Sequence, residues 1–594
     1  LIRGNNGVKG VILPGQLVQY QIIQHADDTS ILITDNTEFN ALRRLFYSYG
    51  EGSGSKINVS KTQGLWLGAW KNRTDKPGNF NWNNQQIKIL GIYFGNGVKP
   101  EDIWLERVNK TKNVLNRWKE RSLTMKGKAV VVNSFIGSSL GYYGSVVPCP
   151  KYLKDELDRS IFDFYWSSKP NKIRRDTIRG PSELGGTGLI NISCKLDALL
   201  LKWLQKYSSR PGKWKFLFEF WIKRANTDQS LGWFVFNNAK LIGSKLPFFY
   251  RELVLAFQKA NGVMKPNVTC INEAIEIPLW NNTVITNTDK KMDTQILKQH
   301  GMVCLKHVIN NGNLLTAQEL AKKCHIKPIN AGKIMSGLRK HVSDDLLTEN
   351  REGPARHVSS MLHFENNDES VHVSDTTVKT IYKSMVIDRF VQPTVEKTWP
   401  IKLNIRQNII DWKEVWKKAN TQSIDYDDRD LWFRLRHRIL PTCDVLQKMK
   451  KIEPKDNQCG LCKQEEETIE HVFIYCKCTW TSWLFLEYVL RKYKGNKHFY
   501  LNDSNKILGY GKQIDNICLF LIAKLHRTIW NSRCRNLPAI NPVSDKKLLK
   551  LFQHKLKRTI LLEKQRLNDD DFVDLFCKNQ ALCHMIGEKV VFSF

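Results

Sequence analysis

LVQYQIIQHADDTSILIT, residues 17–34, sets the fold class of the amino-terminal region. Two runs rich in β-branched and aromatic residues flank a tight polar turn at HADD, the pattern of an antiparallel β-hairpin. Working outward, residues 37–49 place Phe39, Leu42, Leu45, Phe46 and Tyr49 on one helical face, and GEGSGS at 50–55 ends that helix. Short strands are expected around 57–59, 64–67 and 87–94. Strand, turn, strand, helix, strand, strand is an α+β order.

Beyond Glu101 the pattern turns helical. Trp104, Val108, Thr111, Leu115 and Trp118 form one stripe, with Lys110, Lys112, Arg117, Lys119 and Arg121 largely on other faces. A second helix is expected from Thr124, carrying Lys126 and Lys128 in its first turn, and a third over 152–165 with Leu153, Leu157, Ile161 and Phe164 inward. Basic helix ends suit a phosphate backbone, and a solvated face reads the same way. GPSELGGTGLINI at 180–192 lacks the Gly-Lys-Ser/Thr of a phosphate loop and the strand–helix setting of a dinucleotide fingerprint, so it reads as a structural turn. Residues 194–264 read as helical and aromatic-rich, 265–293 as a polar boundary, and 341–373 as a linker. Helices are expected over 412–449 and 512–564, flanking a cysteine cluster.

Lys and Arg number 91 against 58 Asp and Glu, a net charge of +33 over 594 residues. Such a surplus attracts polyanions and releases counterions from phosphates, which makes nucleic acid the leading partner. A ribosomal or chromatin role, or an anionic membrane surface, are other readings of the same charge. The cations are spread along the whole chain, which favours an extended track over one basic arm. No apolar run reaches the roughly 18 residues of a membrane span, and the amino terminus has no signal-peptide pattern. The chain starts at Leu1 inside what reads as domain sequence, so a truncated gene product is expected. Fourteen cysteines without a secretory signal argue against a disulfide framework.

Two constellations carry chemistry. Adjacent Asp27 and Asp28 at the tip of an apolar hairpin crowd like charge, which a cation relieves. Magnesium takes oxygen ligands and substrate phosphates together, and a pair of such ions can activate a 3′-hydroxyl and stabilise leaving pyrophosphate. Taken alone, an Asp-Asp pair is more often a plain turn. The second set is Cys459-x2-Cys462-x8-His471-x4-Cys476, whose thiolates and imidazole can close a tetrahedron round zinc. Cys478 is an alternative to Cys476, although the x4 spacing prefers Cys476. Four protein ligands leave no open position, so that zinc is structural. Arg434, Arg436, His437, Arg438 and the lysines of 448–451 give the knuckle a basic flank, while Glu465, Glu466 and Glu467 point the other way as surface charge. No nucleophile elbow, HExxH helix or Walker loop is present.

In their order along the chain, these pieces resemble the reverse transcriptases of LINE-type (non-LTR) retrotransposons. QHADDTSILI is similar to the family's motif C, SGSKINVSKTQ at 53–63 to motif D, and IKILGIYFG at 87–95 to the primer grip. Residues 105–148 resemble the helical thumb, with Trp118, Leu123, Thr124, Gly127 and Lys128 in order. GGTGLINI at 185–192, IPLWNN at 277–282, LWFRLRHRILPT at 431–442 and IWNSRCRN at 529–536 continue the likeness. The cysteine knuckle resembles the Cys-Cys-His-Cys motif that these proteins carry near the carboxyl end, where it is linked to binding template RNA or target DNA.

The resemblance implies an α+β fold: a truncated right-hand polymerase palm with motifs C, D and E over 1–100, a helical thumb over 101–170, a mostly helical connector over 171–400 with the polar linker near 341–373, and a C-terminal domain over 401–594 with the zinc knuckle at 459–476. Asp27 and Asp28 are then the catalytic carboxylates that hold Mg2+. Lys56 and Lys61 contact the nucleotide or pyrophosphate, and Lys126, Lys128, Arg434, Arg436 and Arg438 the nucleic acid. The complete protein copies element RNA from a nicked DNA target, with RNA template and DNA primer as partners, no membrane, and a nuclear and cytoplasmic location. Two departures stand out. His25 replaces the family's Tyr or Phe before Ala26, and only residues 1–26 precede Asp27, so motifs A and B and the third metal carboxylate are expected to be missing. Polymerisation by these residues alone is therefore not expected. The alternatives are a non-catalytic nucleic-acid-binding remnant and a domesticated zinc-knuckle binding protein.

Overall fold

The computed structural model describes residues 2–12, 18–209, 212–225, 236, 245–264, 297, 300, 302, 304–310, 313–339, 361–366, 369–421, 424–451, 453, 457–537 and 541–594. The boundary expected over 265–293, the IPLWNN stretch and the part of the linker before 361 lie outside them. The fold mixes helix and strand, and the chain forms two units, each assembled from separate segments. The first comprises 1–113, 137–158 and 192–385, and the second 114–136, 159–191 and 386–594.

In the first unit, strands Ile22–His25 and Asp28–Ile31 pair antiparallel with His25 opposite Asp28, so Ala26 and Asp27 form a two-residue turn. Ala26 takes φ 52°, a left-handed conformation that Cβ disfavours. Helix Asn36–Ser53 follows, capped by the Asp35 carboxylate on the Glu38 amide and ended by Gly54 at φ 71°. Glu38 is itself buried and accepts from the Gly10 and Thr34 amides, tying the start of the helix to the segments before it. Phe39 and Leu42 face inward as expected, whereas Tyr49, expected on the same face, is exposed.

The strand expected at 57–59 is absent. The Asn58 side chain accepts from the Ser60 hydroxyl and the Lys61 amide, and its carbonyl from the Thr62 amide, so a local turn takes the groups a strand would offer. Gln63–Leu65 instead pairs with Asn81–Asn83 in parallel, stacking Trp66 on Trp82 with ring centroids 4.0 Å apart. Ile87–Ile89 and Ile92–Phe94 form a hairpin whose turn residues, Leu90 and Gly91, both have positive φ, as a type I′ turn requires. Residues 362–366 and 369–372, read as linker, are a correction: Leu362–Asn366 pairs with Glu369–His372 on one side and Gly262–Met264 on the other. Leu362 and Phe364 are buried there, so polar composition hid an alternating strand.

Helix Pro100–Lys119 opens on Pro100, Glu101 and Asp102 and closes on Arg117 and Lys119, matching charge to the helix dipole. Its Trp104, Val108, Thr111 and Leu115 are buried, the stripe read from periodicity. Helix Ile192–Ser209 buries Asp197 against Lys154 at 2.6 Å. Among the described residues no helix is long and apolar enough to cross a membrane.

The second unit gathers helix Met125–Val131, capped by Thr124, with helices Trp412–Ala419, Tyr426–Arg436, Cys443–Lys448, Lys477–Lys494, Asn516–Asn536 and Asp545–Lys564. A hairpin, Cys583–Ile586 with Lys589–Phe592, ends it. Its core includes Trp399, Trp416, Trp432, Phe473, Trp483, Ile529 and Phe552. The Gly-rich turn is built into this core. A Cβ on Gly186 would stand 1.9 Å from the Gly180 carbonyl oxygen, and one on Gly185, at φ +86°, would meet the Trp416 ring at 2.7 Å. Only glycine fits so close an approach.

Candidate metal centre

Cys459 and Cys462 sit in a tight knuckle: the Cys459 amide donates to the Glu465 carbonyl at 2.7 Å and the Lys463 amide to the Cys459 carbonyl at 2.9 Å. His471 opens a single wide helical turn, His471–Tyr475, which delivers Cys476 directly after it. The four side chains are buried, and their ligand atoms all lie within 4.8 Å of one another. Cys462 Sγ and His471 Nε2 are 3.4 Å apart. A tetrahedral zinc with bonds of about 2.3 Å to sulfur separates its ligands by about 3.8 Å, so the set fits that ion. His471 Nδ1 meets Glu465 Oε2 at 3.1 Å, which orients the ring and leaves Nε2 for the metal. A hydrogen bond from the Cys476 thiol holds the Cys459 thiol well below the ordinary thiol range, and the Cys476 thiol is pushed up in turn. Zinc held by all four is structural. Cys478, the alternative ligand, is buried outside this group.

Glu467 corrects the expectation of surface charge. It is fully buried, and Arg533 grips it with Nε 3.1 Å from both carboxylate oxygens. Its Oε2 also accepts from the Gly460 amide at 2.7 Å and its Oε1 from the Cys443 amide at 2.9 Å. Asn536 donates to the Gly460 carbonyl at 3.0 Å. Glu467 thus joins three elements: the knuckle loop, the start of helix Cys443–Lys448, and helix Asn516–Asn536. A Gly between two cysteines, with an Arg and an Asn spaced on a later helix, is the signal in the sequence that points to this lock.

The other expected site residues are dispersed. Asp27 and Asp28 are exposed beside each other at the hairpin tip, and among the described residues the zinc set is the only cluster of three or more possible metal donors. Two carboxylates offer part of a magnesium site and no more. Lys56 and Lys61 are exposed on either side of the Asn58 turn. Lys126 is exposed, whereas Lys128 donates to the Phe164 and Tyr165 carbonyls, both at 3.2 Å, and to the Ser167 hydroxyl, capping a helix end. Arg434 pairs with Asp430 at 2.8 Å. Arg438 lies over Trp399 and forks onto Glu470. Arg436 is a correction: it is fully buried and donates to the Val415 and Leu508 carbonyls, so no surface contact is open to it in this fold. Helical spacing could have warned of this, since Trp432 and Leu435 mark the inward face of the same helix.

Residues 377–483 match a family described as zinc-binding in reverse transcriptase, and all four ligands fall inside that span. Over 205 residues the chain is 25% identical to the Transposon TX1 uncharacterized 149 kDa protein of Xenopus laevis. That alignment covers 33% of this chain and 15% of the relative. The two findings relate the chain to reverse-transcriptase-related retrotransposon proteins.

Proposed function

We propose that the chain is the C-terminal portion of an RNA-directed DNA polymerase of a LINE-type retrotransposon, and that its own contribution is to bind RNA and DNA around a zinc-stapled domain. The observation that carries this reading is the buried Cys459, Cys462, His471 and Cys476 set inside a segment that matches a reverse-transcriptase zinc-binding family. A net charge of +33 supports a polyanionic partner. Copying RNA from a nicked DNA end is proposed for the whole protein. There, residues 1–100 belong to the palm and 101–170 to the thumb, Asp27 and Asp28 hold Mg2+, and Lys56 and Lys61 face the nucleotide. Of Lys126, Lys128, Arg434, Arg436 and Arg438, Lys126 is the exposed one, and Arg434 is half-buried and paired with Asp430.

Metal analysis of the purified chain, paired with nucleic-acid binding across a salt series, tests the reading. One zinc per chain is expected, lost in Cys459→Ser, together with RNA and DNA binding that weakens steeply as salt rises. A metal-free folded chain, or one that binds neither nucleic acid, refutes it.

A further inference from the structure

A cleft in the second unit is walled by the start of helix Met125–Val131, the Gly-rich turn and helix Tyr426–Arg436. Two cations line it, Lys126 and Arg429, with Asn420 and Thr187 beside them. Among the described residues no carboxylate pairs with either cation. The Lys126 ammonium meets the Asn420 amide oxygen at 3.4 Å. Arg429 Nε is buried without a hydrogen-bond partner among the described residues. Its guanidinium lies 4.5 Å over the Tyr426 ring, a contact that orients the charge without cancelling it.

The carboxylate on the wall is already committed. Asp430 Oδ1 accepts from the Met125 amide at 2.6 Å, and Oδ2 pairs with Arg434 at 2.8 Å. Burial, and then the charge of Arg429, lower the pKa of Lys126, as expected where like charges share a partly dry site. The free volume of about 30 Å3 exceeds the ~10–15 Å3 that one water needs, so small polar groups can enter beside the two cations.

We propose that this cleft seats one backbone phosphodiester of a bound nucleic-acid strand, with Lys126 and Arg429 donating to its non-bridging oxygens. The assignment rests on the proposed nucleic-acid binding and gives it a place. Arg429 was not among the residues singled out from sequence, because its i+3 spacing from an exposed Tyr on an Asp-rich helix start reads as ordinary surface charge.

The test uses the full chain and two probes: a labelled single-stranded RNA in anisotropy titrations across a salt series, and inorganic phosphate in thermal unfolding at constant ionic strength. K126Q/R429Q is expected to weaken RNA binding by about tenfold or more and to reduce the slope of log Kd against log salt by about 0.7, one contact's share. It should also lose the rise in Tm that phosphate gives the unaltered chain. K497Q/K589Q removes the same charge from exposed positions on other elements, and should change RNA affinity by less than about threefold. K126Q alone, at an exposed position, keeps the comparison valid if Arg429 proves necessary for folding. Equal weakening by the cleft and control variants would overturn the proposal in favour of diffuse electrostatics. RNA binding that K126Q/R429Q leaves intact overturns the seat but not the nucleic-acid reading. Phosphate binding lost in the cleft variant, with no RNA binding by any form, overturns the assignment to a strand and leaves a site for free phosphate.

Discussion

Glu465, Glu466 and Glu467 are three identical neighbours with three different fates. Glu465 meets the His471 ring, Glu466 accepts from the Asn457 amide, and Glu467 is buried under Arg533. A buried pair adds little over an apolar pair, but removing one partner strands the other charge. Glu467→Ala is therefore expected to destabilise the second unit by about 3–5 kcal/mol, read from chemical denaturation. Glu467→Met with Arg533→Met should recover much of that loss. A single variant within about 0.5 kcal/mol of the parent would mean the pair is not buried in solution. The cluster of Cys459, Cys462, His471 and Cys476 was legible from spacing, because thiols and an imidazole close to each other along the chain can meet at one point. Glu467 was not, since nothing local separates it from two exposed neighbours.

Elements that carry their own signals formed where periodicity and caps put them. Helix Pro100–Lys119 has its stripe, its Pro start and its terminal charges within 20 residues. The strand expected at 57–59 failed because Asn58 supplies a competing turn, and Leu362–Asn366 became a strand because Gly262–Met264, outside the run, pairs along its edge. The Gly-rich turn shows a similar dependence between elements. His437 at the end of helix Tyr426–Arg436 lies 2.8 Å from the Gly185 carbonyl, so its Nε2 carries the donating proton, and burial pushes its pKa down to about 4 from 6.5. The unfolded chain takes up a proton below about pH 6.5, while the folded one resists until about pH 4. Stability from this contact is thus full above pH 6.5 and is lost as pH falls through that window, on the order of 1 kcal/mol per pH unit. Urea midpoints between pH 7 and pH 5 should fall, and His437→Gln should flatten the slope. An unchanged slope in the variant would place the acid sensitivity elsewhere.

For the whole molecule, the zinc set and the Glu467–Arg533 pair lie in the unit made from 114–136, 159–191 and 386–594. Metal free energy is folding free energy when the ligands sit in the core, as these do. A strong chelator should therefore remove hydrogen-exchange protection from helices Lys477–Lys494 and Asn516–Asn536, while helix Ile192–Ser209 in the other unit keeps its own. Uniform loss across both units, or none in either, would contradict this. What the sequence by itself determined is what rests on short-range physics: the hairpin tip at Asp27 and Asp28, the helical stripes and caps, the ligand spacing, and a charge excess suited to nucleic acid. Tertiary structure alone decided where the charges face. It buried Arg436 and Glu467, spent Lys128 on a helix end, and set Lys126 in one cleft with Arg429, some 300 residues away along the chain. A cation's partner is chosen by what folding brings next to it, and chain separation carries no record of that choice.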